Sequence, residues 1–177
     1  MKIYIVGSVS SGKSTLAKKL SETLNIPYKS LDEVVHIPDK SSPWGNRKRS
    51  IDERDKLFYA VIQQAHWIIE DTGRPCFEKG LMDADKIVLL DIPKKIRNYR
   101  IIKRWIKQRL GFEKCIYTPR YKMLKCMLQW SKDYDLGKEN LKDRIFPYGD
   151  KVITIKNDKD ITMFIERLVF NKKHSQS

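Results

Sequence analysis

Short apolar runs alternate along the chain with longer segments whose apolar positions recur every three or four residues. The run KIYIV at 2–6 ends at Gly7 and predicts a buried strand. Leu16, Leu20 and Leu24 then repeat at spacing four, which predicts a helix over 13–24. A short second strand is expected at 27–31. Ser50 and Glu53 form a capping box, and the helix they open carries Leu57, Phe58, Val61, Ile62 and Ala65 on one side. WIIE at 67–70, KIVLLD at 86–91 and KVITIK at 151–156 predict three further strands, the last followed by a helix near 161–169. Strands separated by helical segments imply a three-layer α/β fold: a five-stranded parallel sheet with helices on both faces. A single domain over 1–177 is expected, with a polar tail frayed at 171–177.

The stretch between the fourth and fifth strands breaks this alternation. Positions 94–132 hold 13 Lys or Arg and one acid, Glu113, a net +12 against +14 for the whole chain. Two helical patterns lie inside it. One spans about 96–110 and ends near Gly111; the other starts near Pro119. A basic helical insertion at about 94–145 is expected to project from the sheet. Its aromatics, Trp105, Tyr117, Tyr121 and Trp130, fit either packing between the two helices or, interleaved with the cations, a nucleic-acid surface. The overall excess of 36 basic over 22 acidic residues fits polyanionic partners: nucleotides, nucleic acid or an anionic surface.

No apolar run is long enough for a membrane span, no signal peptide is apparent, and the three cysteines, Cys76, Cys115 and Cys126, lack a metal-type spacing. A cytoplasmic protein with reduced thiols and no membrane partner is the expectation. The sequence is silent on oligomeric state.

The chemistry begins at Gly7, Ser8, Val9, Ser10, Ser11, Gly12, Lys13 and Ser14, followed by Thr15. The pattern G-x-x-x-x-G-K-[ST] between a strand and a helix is the phosphate-binding P-loop. Glycines allow close backbone approach, successive N–H groups turn toward the phosphates, and the helix start adds its positive end. Lys13 is expected to bridge the β- and γ-phosphates, and Ser14 to ligate Mg²⁺. A nucleoside triphosphate is therefore the expected ligand. The GTPase-style N-K-x-D motif does not appear, which favours ATP. Asp32, with Glu33 beside it, follows the second strand where a parallel sheet presents its ligand-binding edge, and can orient or deprotonate an acceptor hydroxyl. Trp44, Arg47, Lys48 and Arg49 form an aromatic and basic loop between Pro43 and Ser50, suited to stack on an acceptor ring or to hold its anion.

The segments KIYIVGSVSSGKSTLAKKL, RSIDERDKLF, WIIEDTGR and DIPKKIRNYRIIKRWIKQRLGFEKC resemble those of FlaR-type DNA topology modulation proteins, a branch of the adenylate-kinase-like P-loop group. The resemblance covers roughly 1–165. The group implies small-molecule phosphoryl transfer from ATP; the family name implies a DNA-interacting regulator working through the basic insertion. By the same resemblance, Glu70 at the end of the third strand would help hold Mg²⁺, with Asp71 alongside. Arg74 would meet the acceptor, although it sits one residue early for the D-G-x-P-R pattern. The insertion would be a lid over the triphosphate. Arg97, Arg100 and Arg104 are spaced for one helical face, and Arg100 and Arg104 are the expected catalytic pair. The turn Asn157–Lys159 would pack on the base. The acceptor itself, a nucleoside, a nucleotide or another hydroxyl compound, is not legible.

Overall fold

The computed structural model describes residues 1–42, 44–115, 117–138 and 140–174, with side chains through 170. Five strands form the parallel sheet: β1 (Lys2–Gly7), β2 (Tyr28–Ser30), β5 (Trp67–Asp71), β6 (Lys86–Leu90) and β7 (Val152–Ile155), in the order β2-β5-β1-β6-β7. This is the expected three-layer α/β fold. β1 lies at the centre, pairing Ile5 with Glu70 on one side and with Val88 on the other.

The pleat sorts the strand residues into two cores. Ile3, Ile5, Ile68, Val88 and Leu90 face α1 (Lys13–Leu24) and α8 (Asp158–His174). Tyr4, Val6, Trp67, Ile69, Ile87 and Leu89 face α2 (Leu31–Val35), α3 (Ile51–Ile62) and α4 (Glu78–Asp83), together with α7 (Leu141–Ile145). Strands buried on both faces are continuously apolar, which is why these runs read clearly.

The capping box at Ser50 is formed: the Glu53 amide donates to Ser50 Oγ at 3.3 Å. α3 stops at Ile62, however, so Ala65 lies beyond it, and of its apolar side only Phe58 and Ile62 are buried while Leu57 is exposed. α8 starts earlier than expected, at Asp158, and continues to His174, into the stretch expected to fray; residues 175–177 lie outside the described residues.

A hairpin outside the main sheet was not anticipated: β3 (His36–Pro38) and β4 (Asn46–Lys48) pair antiparallel, β4 lying in the expected aromatic and basic loop. The expected loop boundary Pro43 lies outside the described residues. The basic stretch folds as α5 (Lys94–Arg109) and α6 (Tyr121–Asp135). These enclose a third small core of Ile101, Met123, Leu124 and Met127, against which Val9 of the P-loop and Trp44 of the hairpin tip also pack. No helix among the described residues is long and apolar enough to cross a membrane.

Candidate active site

The P-loop wraps the start of α1. Gly7 has φ +153°, and a Cβ there would stand 2.7 Å from the Leu90 carbonyl oxygen, so only glycine fits. Gly12, at φ +102°, is the residue from which α1 starts; its carbonyl accepts from the Leu16 amide at 3.0 Å. Lys13 is buried and curls back over the loop, donating to the carbonyls of Gly7 at 3.0 Å and Ser8 at 2.8 Å. The side-chain oxygens of Ser8, Ser10 and Ser11 are buried without a protein partner among the described residues. A loop of buried donors around an ammonium suits an anion with several oxygens, as a triphosphate is.

Ser14 Oγ donates to Glu70 Oε1 at 3.0 Å. A hydroxyl and a carboxylate side by side next to the phosphate loop form a hard-oxygen pair of the kind Mg²⁺ takes when phosphates and waters complete its shell. The neighbours Glu70 and Asp71 separate cleanly, because successive strand residues face opposite sides of the sheet. Glu70 points with Ile68 toward α1 and Ser14. Asp71 points with Ile69 the other way and is fully buried. It accepts from the backbone amides of Gly73 at 2.8 Å and Arg74 at 2.6 Å, and from the Arg74 guanidinium.

Arg74 also bonds Asp32, in the first turn of α2 just past the neighbouring strand, so one guanidinium bridges two carboxylates across the C-terminal edge of the sheet. Burial alone would raise the Asp32 carboxyl. The charge and hydrogen bond of Arg74, with Lys13 and His36 adding at longer range, outweigh it and hold the carboxyl below its ordinary value. Burial disfavours the charged form of His36, which is shifted down and is neutral at pH 7. The low Asp32 value has a mechanistic consequence. A carboxylate stabilised this way is a weak proton acceptor, better suited to accepting a hydrogen bond than to general-base chemistry tuned to neutral pH. We expect Asp32→Asn to lower turnover by about one to two orders of magnitude, the scale of losing one hydrogen bond to a charged group, roughly 1.5–3 kcal/mol. The wild-type pH–rate profile is expected to show no ionisation limb from Asp32 between pH 5 and 8. Its depressed value also makes its contribution to folding complete above the unfolded carboxylate range and lost only as pH falls through the folded value. Chemical unfolding between pH 3 and 6 measures that side; a stability loss centred above pH 5 in wild type and absent in Asp32→Asn contradicts it.

The three arginines expected on one catalytic face divide among three environments. Arg97 is fully buried. It donates to the Ser131 carbonyl at 3.2 Å, pairs with Asp135 and lies over the Tyr134 ring at 4.8 Å, so it joins α5 to α6 and does not face the phosphates. Arg100 reaches the P-loop itself: Nη1 donates to the Ser11 carbonyl at 3.1 Å, and Nη2 meets Asp158 Oδ1 at 3.4 Å. It thereby ties the P-loop to the Asn157–Lys159 turn. In that turn Asn157 caps α8, accepting from the Asp160 amide at 3.0 Å. Arg104 pairs with Glu113 at 3.0 Å, and both side chains are substantially exposed.

Trp44 is not presented to an acceptor. Its ring packs in the small core of α5 and α6, Lys122 lies over it at 5.1 Å, and its carbonyl accepts from the Thr118 amide at 2.9 Å. Arg47 is exposed, 4.0 Å from Asp39. Arg49, expected in the basic loop, has a buried Nε without a partner among the described residues. Arg144 of α7, which the sequence did not flag, borders the Arg74 side: it donates to the Gly73 carbonyl and to Glu78 at 2.8 Å. Nothing in the local sequence marks Arg144, since its partners lie about 70 positions upstream.

No protein-family model matches the chain. A stretch of 35 residues is 51% identical to shikimate kinase of Aquifex aeolicus; it spans 20% of this chain and about a fifth of that protein, 21%. Three-dimensional likeness is much broader. The crystal structure of Aquifex aeolicus shikimate kinase matches with TM-score 0.52 and 18% identity, over 99% of this chain and 98% of that one. Shikimate kinase from Bacteroides thetaiotaomicron matches with TM-score 0.55 and 15% identity, over 98% of each chain. Shikimate kinase from Acinetobacter baumannii, solved with shikimate, matches with TM-score 0.57 and 16% identity, over 97% and 94%. At these identities the likeness is one of fold: this chain has the three-layer α/β fold of these shikimate kinases.

Proposed function

We propose that this protein is an ATP-dependent kinase that transfers the γ-phosphoryl group of ATP to a hydroxyl of a small acceptor. The observation that carries the reading is the juxtaposition at one sheet edge of a complete P-loop, with its Ser14–Glu70 pair, and a separate polar site, Asp32–Arg74–Asp71. A nucleoside-triphosphate hydrolase needs only the first; a second polar cluster beside it is what an acceptor requires. The shikimate kinases of the same fold act on a small hydroxylated acid, in keeping with this class.

In this reading the P-loop amides and Lys13 hold the β- and γ-phosphates, with Ser8 to Ser11 and Thr15 lining the phosphate end. Ser14 and Glu70 hold Mg²⁺, which when bound supplies charge neutralisation to the phosphates. Asp32 accepts a hydrogen bond from the acceptor hydroxyl and points its oxygen at the γ-phosphorus, while Arg74 fixes Asp32. The new P–O bond forms in line as the bond to the β-phosphate oxygen breaks. The hydroxyl proton leaves late in a loose transition state, passing to solvent water once the new P–O bond has made it strongly acidic, and ADP departs. The α5–α6 unit acts as a lid whose Arg100 meets the charge that develops on the transferring group.

The test is a screen of nucleosides, nucleoside monophosphates, sugars and hydroxy acids as acceptors, following ADP release against the rate without acceptor. An acceptor that raises the rate at least tenfold and appears phosphorylated by mass spectrometry supports the reading. Acceptor-independent ADP release throughout reduces the protein to an ATPase.

A second reading, the FlaR-type one, is favoured by one observation: Lys122 and Lys125 on α6 and the cations of α5 are largely solvent-facing. If they bind duplex DNA, affinity falls steeply between 50 and 200 mM salt, roughly as each neutralised phosphate releases a counterion. Charge reversal at Lys122 and Lys125 then weakens DNA binding while leaving ATP affinity intact. No measurable binding near physiological salt removes this reading.

A further inference from the structure

α5 is apolar on the side it turns away from the protein. Ile96, Tyr99, Ile102, Ile106 and Leu110, with Phe112 in the following turn, are all more than 40% exposed, from 41% at Ile96 to 80% at Phe112. Spacings of three and four place the first five on one stripe, about 21 Å long at 1.5 Å per residue. The opposite side of the helix, with Arg97, Ile101 and Gln108, is the one buried against α6. α5 therefore carries two apolar-containing faces, only one of which the fold covers. Lys107 and Arg109 flank the open stripe and Lys95 and Lys103 are interspersed in it, Lys103 lying over the Tyr99 ring at 5.7 Å; all four are exposed, and none forms an ion pair among the described residues. No acidic residue occurs from 94 to 112. A contiguous exposed apolar strip of this kind on a folded surface marks an interaction site.

We infer that this outer face of α5 docks on an anionic phospholipid surface. The geometry selects a flat partner. The inner side of α5 stays packed on α6 and the P-loop, so a partner that must enclose the helix in a groove cannot reach round it, whereas a bilayer needs only the outer arc. The chemistry selects lipid. Aliphatic Ile96, Ile102, Ile106 and Leu110 gain nothing against the sugar–phosphate backbone of a nucleic acid but are stabilised at the acyl boundary. Tyr99 suits the headgroup level, and these lysines have stems long enough to lie along the apolar surface while their ammonium groups meet phosphate. A second copy of the chain would bring four cations on each face against four like charges. Docking of this type is peripheral: α5 lies in the interface and spans nothing. It would hold one side of the helix that carries Arg100, independently of which acceptor the enzyme uses.

The experiment is sedimentation of the full-length protein with vesicles of phosphatidylcholine alone and of phosphatidylcholine with an equal part of phosphatidylglycerol, at 50 and 300 mM NaCl. Partitioning onto the anionic vesicles is expected at least tenfold above the neutral ones, weakening at high salt. Ile102→Glu/Ile106→Glu is expected to abolish it, and Lys103→Glu/Lys107→Glu to reduce it roughly tenfold or more. Leu110→Ser/Phe112→Ser, at the most exposed end, gives a milder second test should the glutamate pair disturb folding, as checked by circular dichroism. Failure to bind anionic vesicles at 50 mM NaCl overturns the inference. Binding that survives both apolar variants also overturns it, because charge alone would then explain attachment. The same holds if the apolar variants turn a wild-type dimer into a monomer, or if they remove binding to a duplex oligonucleotide while vesicle binding is absent.

Discussion

Lys13→Ala is expected to cost roughly a hundredfold to ten-thousandfold in kcat/KM for ATP. The ammonium makes two hydrogen bonds in the free protein, to the Gly7 and Ser8 carbonyls, and it is buried there. In the proposed complex it exchanges these for phosphate oxygens. Two charge-assisted contacts at roughly 1.5–3 kcal/mol each correspond to about two to four orders of magnitude. Alanine also leaves two carbonyls without their donor at the site where the loop must keep its shape. Lys13→Arg is expected to rescue poorly, because a planar guanidinium does not fit a slot shaped round a compact ammonium. Calorimetric titration with ATP·Mg²⁺, beside a thermal melt to confirm that the variant is folded, measures the effect. Affinity and turnover equal to wild type would remove Lys13 from the phosphate site.

How much of this was legible in the chain differs from element to element, for physical reasons. The strands β1, β5 and β6 and the helix α1 are readable because their apolar patterns are set by burial, and the P-loop glycines because Gly7 approaches the Leu90 backbone too closely for a side chain while Gly12 takes a φ of +102°. The separate tasks of Glu70 and Asp71 follow from strand alternation once the sheet is known, since adjacent residues must face opposite layers. The hairpin β3–β4 is not readable. Its strands are three residues each, contain Pro38, Arg47 and Lys48, and are stabilised by pairing rather than by an apolar pattern. Arg74 could be noticed but not placed, because its partner Asp32 is 42 positions away and meets it only through the neighbouring strands. Helical spacing grouped Arg97 with Arg100 and Arg104. Which arc of α5 turns toward α6 is decided by docking of Ile101 among Met123, Leu124 and Met127, and that docking buries Arg97. The same docking leaves the other apolar arc of α5 in solvent, which the sequence, expecting only a basic helical insertion, did not single out.

Arg100→Ala is expected to lower kcat by roughly a hundredfold or more, by comparison with arginines that meet a transferring phosphoryl group. The reason is position. Arg100 already touches the P-loop at the Ser11 carbonyl and lies within 3.5 Å of where a Cβ on Gly12 would stand, so a small rotation carries its second nitrogen from Asp158 to a phosphate oxygen. Charge on that oxygen develops as the phosphoryl group moves, so the contact strengthens in the transition state. Affinity for ATP in the ground state should change far less than kcat. Lysine should restore little, since it cannot donate to the Ser11 carbonyl and to phosphate in one plane. Arg104→Ala starts from an exposed pair with Glu113 and must swing inward to contribute. A loss of about tenfold, near 1.4 kcal/mol, is expected for it. Arg97→Ala should carry a different signature: a loss of roughly 2–4 kcal/mol in unfolding free energy, from emptying a buried site and leaving Asp135 without its partner. Lys107→Ala, exposed and outside these contacts, should match wild type. Steady-state kinetics with the acceptor found by screening, run beside urea unfolding of the same four variants, separates these outcomes. Near-normal kcat in Arg100→Ala, with the loss falling instead on Arg104→Ala, would mean that α5 turns a different arc to the phosphates during turnover from the one it shows here.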